Sequence, residues 1–222
     1  LQQLGLARFH QGDRDPALPL LVEAVALARR SGDFRLTAEC LVSLGEVEMV
    51  EGGAAGQAAL DEALTHYRAS GDRRGEGAVL QRLGMIAQMQ SDFATGQRTC
   101  EEALRIHRAL GDRHNEAVTL AALAGFHARQ NRIDESDRYL RQTLQLARTI
   151  GYRTGEVQAM ISLGTNRWQQ GEAAAARAYF EQALPIARAC GYLRGEGVIL
   201  NNLGNLASDA LAYARAESYY RE

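Results

Sequence analysis

The sequence predicts an all-α protein made of repeated pairs of antiparallel helices. A phrase of the form L-x-x-L-G recurs about every 40 residues along the chain. Within each repeat, apolar residues return at three- and four-residue spacing, which is the period of an amphipathic helix. β-Branched residues are sparse, and no stretch alternates polar with apolar residues over a useful length, so strands are not expected.

The recurring phrase sets the repeat boundaries. It is found at Leu1–Gly5, Leu41–Gly45, Leu80–Gly84 and Leu200–Gly204, and variants of it begin at Leu120 and Met160. Because one register holds throughout, we expect a single array over residues 1–222, with roughly eleven helices, that is a fragment of a longer protein. The expected units are residues 1–40, 41–79, 80–119, 120–159, 160–199 and the partial unit 200–222.

A glycine is expected to end the second helix of each repeat. Glycine enters the left-handed backbone region at low cost, and an arginine in the preceding turn suits the negative end of a helix. This pattern occurs at Gly32, Gly71, Gly111, Gly151 and Gly191. An aspartate that follows the glycine is expected to cap the next helix. These aspartates are Asp33, Asp72 and Asp112.

The same turn carries a repeated pair of opposite charges. The arginine before the glycine is followed eight residues later by a glutamate, so a salt bridge across the turn is expected. The four pairs are Arg68 with Glu76, Arg108 with Glu116, Arg148 with Glu156 and Arg188 with Glu196. The Gly-rich phrase SGDRRGEG at residues 70–77 is one of these turns, not a phosphate-binding loop, because no strand precedes it and the chain has no lysine.

Composition and charge restrict the function. The formal net charge is −2, which argues against nucleic-acid binding because phosphate recognition needs a concentrated basic surface. No apolar run approaches the length of a membrane span, so no membrane association is expected. Cys40, Cys100 and Cys190 are far apart and form no C-x-x-C pair, which favours free thiols in the cytoplasm. The Arg- and Ala-rich composition favours a bacterial source.

No arrangement of residues indicates catalysis. The five histidines form no H-E-x-x-H motif and have no cysteine at metal-ligand spacing. The G-x-S-x-G motif of hydrolases is absent as well. We therefore expect no catalytic residues, no metal and no cofactor, although surface carboxylates leave open a weak site for a divalent ion.

The repeat resembles the tetratricopeptide repeat (TPR). Leu80, Leu83, Gly84, Cys100 and Ala103 match the large and small positions of its two helices. HEAT repeats have a similar length but lack this spacing. At 40 residues the repeat is longer than the usual 34, and it is similar to the repeats of spindle-orientation adaptors and of bacterial signalling ATPases and transcription activators with helical sensor domains. The resemblance implies a right-handed superhelical solenoid whose first helices line a concave groove.

The resemblance also implies which positions of each first helix face the groove. The complete set is Val42, Glu46, Met49, Val50, Gln81, Met85, Gln88, Met89, Ala121, Gly125, Ala128, Arg129, Ile161, Thr165, Trp168, Gln169, Asn201, Asn205, Ser208 and Asp209. Flexible methionines adapt to apolar partners, and amide side chains pair with an extended peptide. The candidate partner-binding residues are Met49, Gln81, Met85, Gln88, Met89, Arg129, Trp168, Gln169, Asn201 and Asn205.

Three functions remain open at this point. The first is a non-catalytic scaffold or sensor module of a larger bacterial signalling protein, which binds a protein or peptide segment in the groove. The second is a sensor of a small molecule or peptide pheromone that regulates an attached ATPase or DNA-binding domain; a closed apolar pocket around Trp168 would favour it. The third is a structural element that self-associates head to tail through its ends.

Overall fold

Helices account for nearly all of the chain that the structure, a computed structural model, describes. It describes residues 1–11, 14–49 and 54–222, with the side chains of residues 14, 15 and 54 left out. These residues form two compact units, Leu1–Gly111 and Asp112–Glu222. Over the described ranges there are twelve helices and no strand, so the predicted all-α fold is confirmed.

Unit 1 contains the first six helices. They are α1 (Gln2–His10), α2 (Arg14–Ser31), α3 (Phe34–Glu48), α4 (Ala54–Ser70), α5 (Arg73–Met89) and α6 (Phe93–Leu110). Odd-numbered helices are the first helices of their repeats, and each packs most extensively on the even-numbered helix that follows it. Each second helix then packs on the next first helix, so the pairs form a continuous stack within the unit.

Unit 2 repeats this arrangement. Its helices are α7 (Arg113–Arg129), α8 (Ile133–Ile150), α9 (Arg153–Gln169), α10 (Ala173–Ala189), α11 (Leu193–Asp209) and α12 (Tyr213–Arg221). The sequence suggested roughly eleven helices because its repeat frame starts inside a first helix and the last unit was counted as half a pair. Helix α12, in the partial unit 200–222, has nine residues, about half the length of the other second helices, which have 17 or 18. One continuous array over the whole chain stays a prediction.

Small residues let the two helices of a pair approach closely. A Cβ atom added to Gly84 of α5 would lie 2.3 Å from the Sγ atom of Cys100 in α6. In α9, a Cβ at Gly164 would lie 2.6 Å from the Phe180 ring of α10. The glycine of L-x-x-L-G therefore makes room for a side chain of the partner helix, and Ala103 in the next small column is fully buried.

The turns follow the predicted chemistry where a second helix leads to the next repeat. All five predicted glycines have positive φ angles, from 66° to 72°. The predicted aspartate caps are confirmed, since each side chain accepts a hydrogen bond from a main-chain N–H three residues later: Asp33 from Leu36, Asp72 from Gly75 and Asp112 from Asn115. The turns inside the pairs were not predicted; there the left-handed residues are Ser91, Asn131, Gly171 and Leu211.

Candidate functional site

The predicted binding residues of unit 1 lie mainly on α5 and differ in exposure. Met85 is 46% exposed and Met89 is 77% exposed, so both apolar side chains are open to solvent. Gln88 is half-buried, whereas Gln81 is buried at 9% exposure. A partner on this helix would therefore reach the two methionines first.

Met49 follows α3 and has a different environment. It is half-buried and packs against the apolar core of unit 1, which includes Leu44 and Leu60. The neighbouring predicted groove position, Val50, lies outside the described residues. The contribution of Met49 to binding stays a prediction.

Three helices of unit 2 form a groove at the predicted positions. Small residues of α7 make one wall, α8 contributes Ser136 and Leu140, and α9 makes the other wall. The groove has a volume of about 190 Å³ and is open to solvent on one side. Five predicted first-helix positions line it: Ala121, Gly125, Ala128, Thr165 and Gln169.

Two other candidates of unit 2 lie outside this groove lining. Arg129 is exposed at the end of α7. Trp168 is half-buried and packs against the apolar cluster of α9 and α10, which includes Met160 and Phe180. The structure thus brings Gln169 to the groove and places Trp168 against the core.

The last two candidates, Asn201 and Asn205, belong to α11. Asn201 is exposed and lines a separate cavity of about 490 Å³ between α11 and α12. Asn205 is half-buried, and its Oδ1 atom accepts a hydrogen bond from the Tyr220 hydroxyl at 2.6 Å. Asn205 is therefore already engaged by a side chain of its own repeat.

A buried polar network lies beneath the unit 2 groove. The Nδ2 atom of Asn166 donates to Ser136 Oγ at 3.1 Å and to Asp137 Oδ1 at 2.8 Å. Asp137 also accepts from Arg167, which in turn contacts Glu172. Asn166, Ser136 and Asp137 are each at most 3% exposed, so the network sits in the interior, with Asn166 reaching the groove wall.

Sequence reasoning missed this network. The surface positions around Asn166, namely Thr165, Trp168 and Gln169, were selected, but Asn166 itself falls in a core column of the repeat. One signal could have revealed it: the column is apolar in the other described repeats, at Val47, Ile86, Phe126 and Leu206.

Three of the four predicted arginine–glutamate pairs are confirmed. The Nε atom of each arginine contacts the glutamate Oε1 atom: Arg68 with Glu76 at 3.0 Å, Arg148 with Glu156 at 2.8 Å and Arg188 with Glu196 at 2.8 Å. The fourth pair, Arg108 with Glu116, spans the boundary between the two units and stays a prediction.

A second arginine, absent from the prediction, holds three of the four glutamates. Arg73 Nη1 lies 2.5 Å from Glu76 Oε2, Arg113 Nη1 lies 2.9 Å from Glu116 Oε2, and Arg153 Nη1 lies 2.9 Å from Glu156 Oε2. Burial raises the pKa of Glu156, but hydrogen bonds from Arg148 and Arg153 outweigh burial, and the net pKa is lowered. The arrangement ties two helices together and offers no free charge for chemistry.

The described residues contain no cluster of three or more His, Cys, Asp or Glu side chains that could hold a metal ion. None of the helices in that part of the chain is long and apolar enough to cross a membrane.

Cys100 is fully buried, and burial raises the pKa of its thiol to about 12. This thiol therefore stays protonated and unreactive at neutral pH.

Comparison with solved structures shows the same fold in other proteins. BtubC from P. vanneervenii is 16% identical, with a TM-score of 0.78 over 93% of this chain and 87% of that one. A Signal Transduction ATPase with Numerous Domains that carries a tetratricopeptide repeat sensor, from Pyrococcus horikoshii, is 16% identical, with a TM-score of 0.83 over 99% of this chain and 35% of that one. At these identities the likeness concerns the fold alone.

A third similar structure is the apo form of RapI, which is 11% identical, with a TM-score of 0.77 over 98% of this chain and 92% of that one. None of the curated proteins compared with the sequence matches it. The sequence profile of the tetratricopeptide repeat matches residues 76–149 and 116–189, which together make up just over half of the 222 residues. The chain therefore belongs to the tetratricopeptide repeat family.

Proposed function

We propose that this chain is a non-catalytic module that binds a protein or peptide segment along its first helices. The unit 2 groove carries the proposal, because predicted binding positions on α7 and α9 line one open cleft. Ala121, Gly125 and Ala128 keep the cleft clear of long side chains, while Thr165 and Gln169 supply polar groups. Open clefts on first helices suit extended partners better than enclosed small molecules.

Unit 1 supports the same function through α5. Met85 and Met89 expose flexible apolar side chains that adapt to varied partners. The half-buried Gln88 lies between them on the helix and carries both a donor and an acceptor. We propose that these residues, with Met49, form a second contact region for the partner.

Peptide selection tests the proposal. The intact chain would be immobilised and challenged with a display library of short random peptides, and binders would be mapped by hydrogen exchange. Protection is expected in α7 and α9. Ala128→Phe should block the groove and weaken binding, whereas Ala178→Phe, on the exposed face of α10, should not. A library without binders, or binders unaffected by Ala128→Phe, would count against groove binding.

A sensor of a small metabolite is less well supported at the unit 2 groove. This groove, about 190 Å³, is smaller than the roughly 300–1,000 Å³ of typical small-molecule pockets, whereas the cavity between α11 and α12, about 490 Å³, falls within that range. Native mass spectrometry after gentle purification distinguishes a bound peptide from a bound metabolite by the mass of any co-purified ligand.

We propose that the chain is a scaffold or sensor arm of a larger bacterial cytoplasmic signalling protein. Its fold is similar to that of the repeat sensor of the ATPase from Pyrococcus horikoshii.

Self-association is a second candidate, and exposed apolar side chains on the last pair of helices favour it. Leu193 is 78% exposed, and Leu211 and Tyr213 are also open to solvent. Leu193 begins α11, whereas Leu211 and Tyr213 lie past its other end, so we propose that a second copy covers the length of this last pair head to tail. Light scattering should show mass rising with concentration, and Leu193→Glu should abolish the rise, unlike Leu27→Glu on α2. A constant monomeric mass would contradict it.

A further inference from the structure

Asn166 is the polar residue in a column that is otherwise apolar. In the first repeat the column residue is Ala7, which is exposed; in the other described repeats it is Val47, Ile86, Phe126 and Leu206, each at most 5% exposed. Asn166 is equally buried, at 3% exposure. Burying an amide is costly unless hydrogen bonds satisfy it. The stack does not need an amide here, because the other described repeats form the same helix pair without one, so the amide calls for another explanation.

The network under the groove fixes the orientation of the Asn166 amide. Both hydrogens of Nδ2 are used, on Ser136 Oγ and Asp137 Oδ1. The Asp137 carboxylate also accepts from Arg167 and, at 3.4 Å, from Arg141. An ionised carboxylate has no hydrogen to donate. If the amide were turned around, its Oδ1 would face the Asp137 oxygen, and two acceptors would lie against each other. The Nδ2 side of the amide is therefore committed to α8.

The carbonyl side of the same amide is left with an unused acceptor. Among the described residues, none donates a hydrogen bond to Asn166 Oδ1, and the amide lines the groove. The nearby Thr165 hydroxyl is not available, because it donates to the Ile161 carbonyl oxygen at 3.0 Å. This carbonyl oxygen is not among the fully enclosed polar atoms, so water or a ligand in the groove can donate to it.

The groove shape indicates what kind of donor it takes. The α7 wall carries only Ala121, Ala124, Gly125 and Ala128, so a narrow chain can approach the α9 wall closely. An extended peptide presents one N–H per residue and has small cross-section at Gly, Ala or Ser. The 190 Å³ volume is several times the roughly 30 Å³ share of one water, so water would fill the empty groove and be displaced by a peptide.

We infer that the unit 2 groove holds an extended peptide segment at a Gly, Ala or Ser residue whose main-chain N–H donates to Asn166 Oδ1. This rests on the proposed function and adds the chemistry of the partner. The Asp137 charge is offset by Arg167 and Arg141, so the site selects a neutral, small residue. Asn166 binds the main chain of the peptide, and the α7 wall of small residues limits the size of the peptide side chain.

Replacement of Asn166 by the residue of its own column tests the role. Asn166→Leu copies Leu206, which α11 accommodates at 3% exposure. Against short peptides selected on the unmodified chain, the dissociation constant should rise roughly tenfold, the value of one hydrogen bond. Gln145→Leu makes a similar amide-to-leucine change on the exposed face of α8 and should leave binding unchanged. Circular dichroism verifies that both variants are folded.

N-Methylation of the selected peptide provides a second readout that does not depend on the stability of the variant. Removing each main-chain N–H in turn should reveal one position where methylation weakens binding to the unmodified chain. Asn166→Leu should no longer distinguish that methylated peptide from its parent. A side chain that acts only in packing would not produce this coupling.

The outcomes separate the two proposals. If peptides bind but Asn166→Leu holds them as tightly as the unmodified chain, or no methylated position couples to Asn166, the inference is wrong and groove binding stands. If no peptide is selected at all, the proposed function fails and the inference fails with it.

Discussion

The turn at Gly71–Asp72 in unit 1 and the turn at Gly151–Tyr152 in unit 2 occupy the same place in the repeat but begin the next helix differently. Asp72 accepts a hydrogen bond from the Gly75 N–H at 3.0 Å. Tyr152 makes no side-chain cap, and its ring instead lies over Gly155, where an added Cβ would be 2.2 Å away. In both turns the glycine is left-handed.

The comparison shows which parts of the turn are constrained. The left-handed glycine and the arginine–glutamate contacts are the same in the two turns, since Glu76 and Glu156 each accept from two arginines. The residue just before the new helix differs: Asp72 caps it by a hydrogen bond, and Tyr152 packs its ring over a glycine of the first turn. In unit 1 the ring over Gly75 comes from Tyr67, on the preceding helix. The ring is retained, and only its origin changes.

The largest expected effect comes from filling the space beneath these rings. Gly75→Ala would bring a Cβ to 2.3 Å from Tyr67, which is 7% exposed and belongs to the apolar core of unit 1, so any shift of the ring disturbs core packing. We expect a loss of about 2–3 kcal/mol in the free energy of unfolding. Gly155→Ala meets Tyr152, which is only half-buried and lies outside the apolar cluster of α9 and α10, so we expect about 1 kcal/mol or less. Urea denaturation measures both; equal losses would contradict the distinction.

The next effect concerns the charge pair that the two turns share. Glu156→Gln removes a buried carboxylate from Arg148 and Arg153, whose side chains are more than half exposed and stay solvated. We expect a loss of about 1–2 kcal/mol, below that of a fully buried pair. Glu76→Gln should cost a similar amount, because its contacts are equivalent. Markedly unequal losses in urea denaturation would show that the turns differ in more than the cap.

The lowered pKa of Glu156 gives this pair a pH signature. Its contribution should be fully present above the ordinary glutamate pKa of about 4.3 and should be lost as pH falls through the lower folded-state value. Between about pH 5 and pH 2 the Glu156→Gln variant should therefore lose less stability than the unmodified chain. Parallel curves of unfolding free energy against pH would contradict this assignment.

A smaller effect is expected at the unit 1 cap. Asp72→Ala leaves the Gly75 N–H without its acceptor and should cost about 1 kcal/mol. The thermal midpoint of the variant measures this loss, and Asp61→Ala, inside α4, is a control without a capping role. A midpoint unchanged relative to that control would show that the ring over Gly75, not the cap, determines where the helix begins.

The smallest effect is expected when the aspartate cap of the unit 1 turn is introduced at the equivalent position in unit 2. Tyr152→Asp should supply a cap to the Gly155 N–H. It also removes the ring from Gly155 and from His114, whose ring is tilted against it with 4.5 Å between the ring centroids. Since the gain and loss oppose each other, we expect a net change within about 0.5–1 kcal/mol. A large loss in thermal denaturation would show that the ring is essential in this turn.

Much of the stacking was predictable because it depends on columns of small and left-handed residues. Gly84 and Ala103 had to be small where helices meet, and Gly71 had to end a helix whatever its neighbours were. The turns inside the pairs were harder. Ser91 and Leu211 adopt positive φ without the usual glycine, and that conformation is imposed by the packed pair, not by local preference.

The candidate site was predicted in outline only. The resemblance to the tetratricopeptide repeat placed Gly125 and Gln169 on a shared face, and both line the groove. The same rule assigned Trp168 to that face, although its large ring packs against the core, where more apolar area is buried. Asn166 was not predicted, because its position in the repeat is apolar elsewhere and was therefore assigned to the core. Only its hydrogen bonds to Ser136 and Asp137 in the folded chain explain why a polar residue is buried there.

The equivalence of the turns at Gly151–Tyr152 and Gly191–Tyr192 has a consequence for how such chains change length. Excision of residues 152–191 would join Gly151 directly to Tyr192, recreating the same Gly-Tyr sequence with the ring over Gly195. Arg148 would then stand eight residues before Glu196 in the shortened chain, the spacing that it now has to Glu156. Unequal recombination at this point would therefore delete or duplicate one whole repeat without leaving a scar.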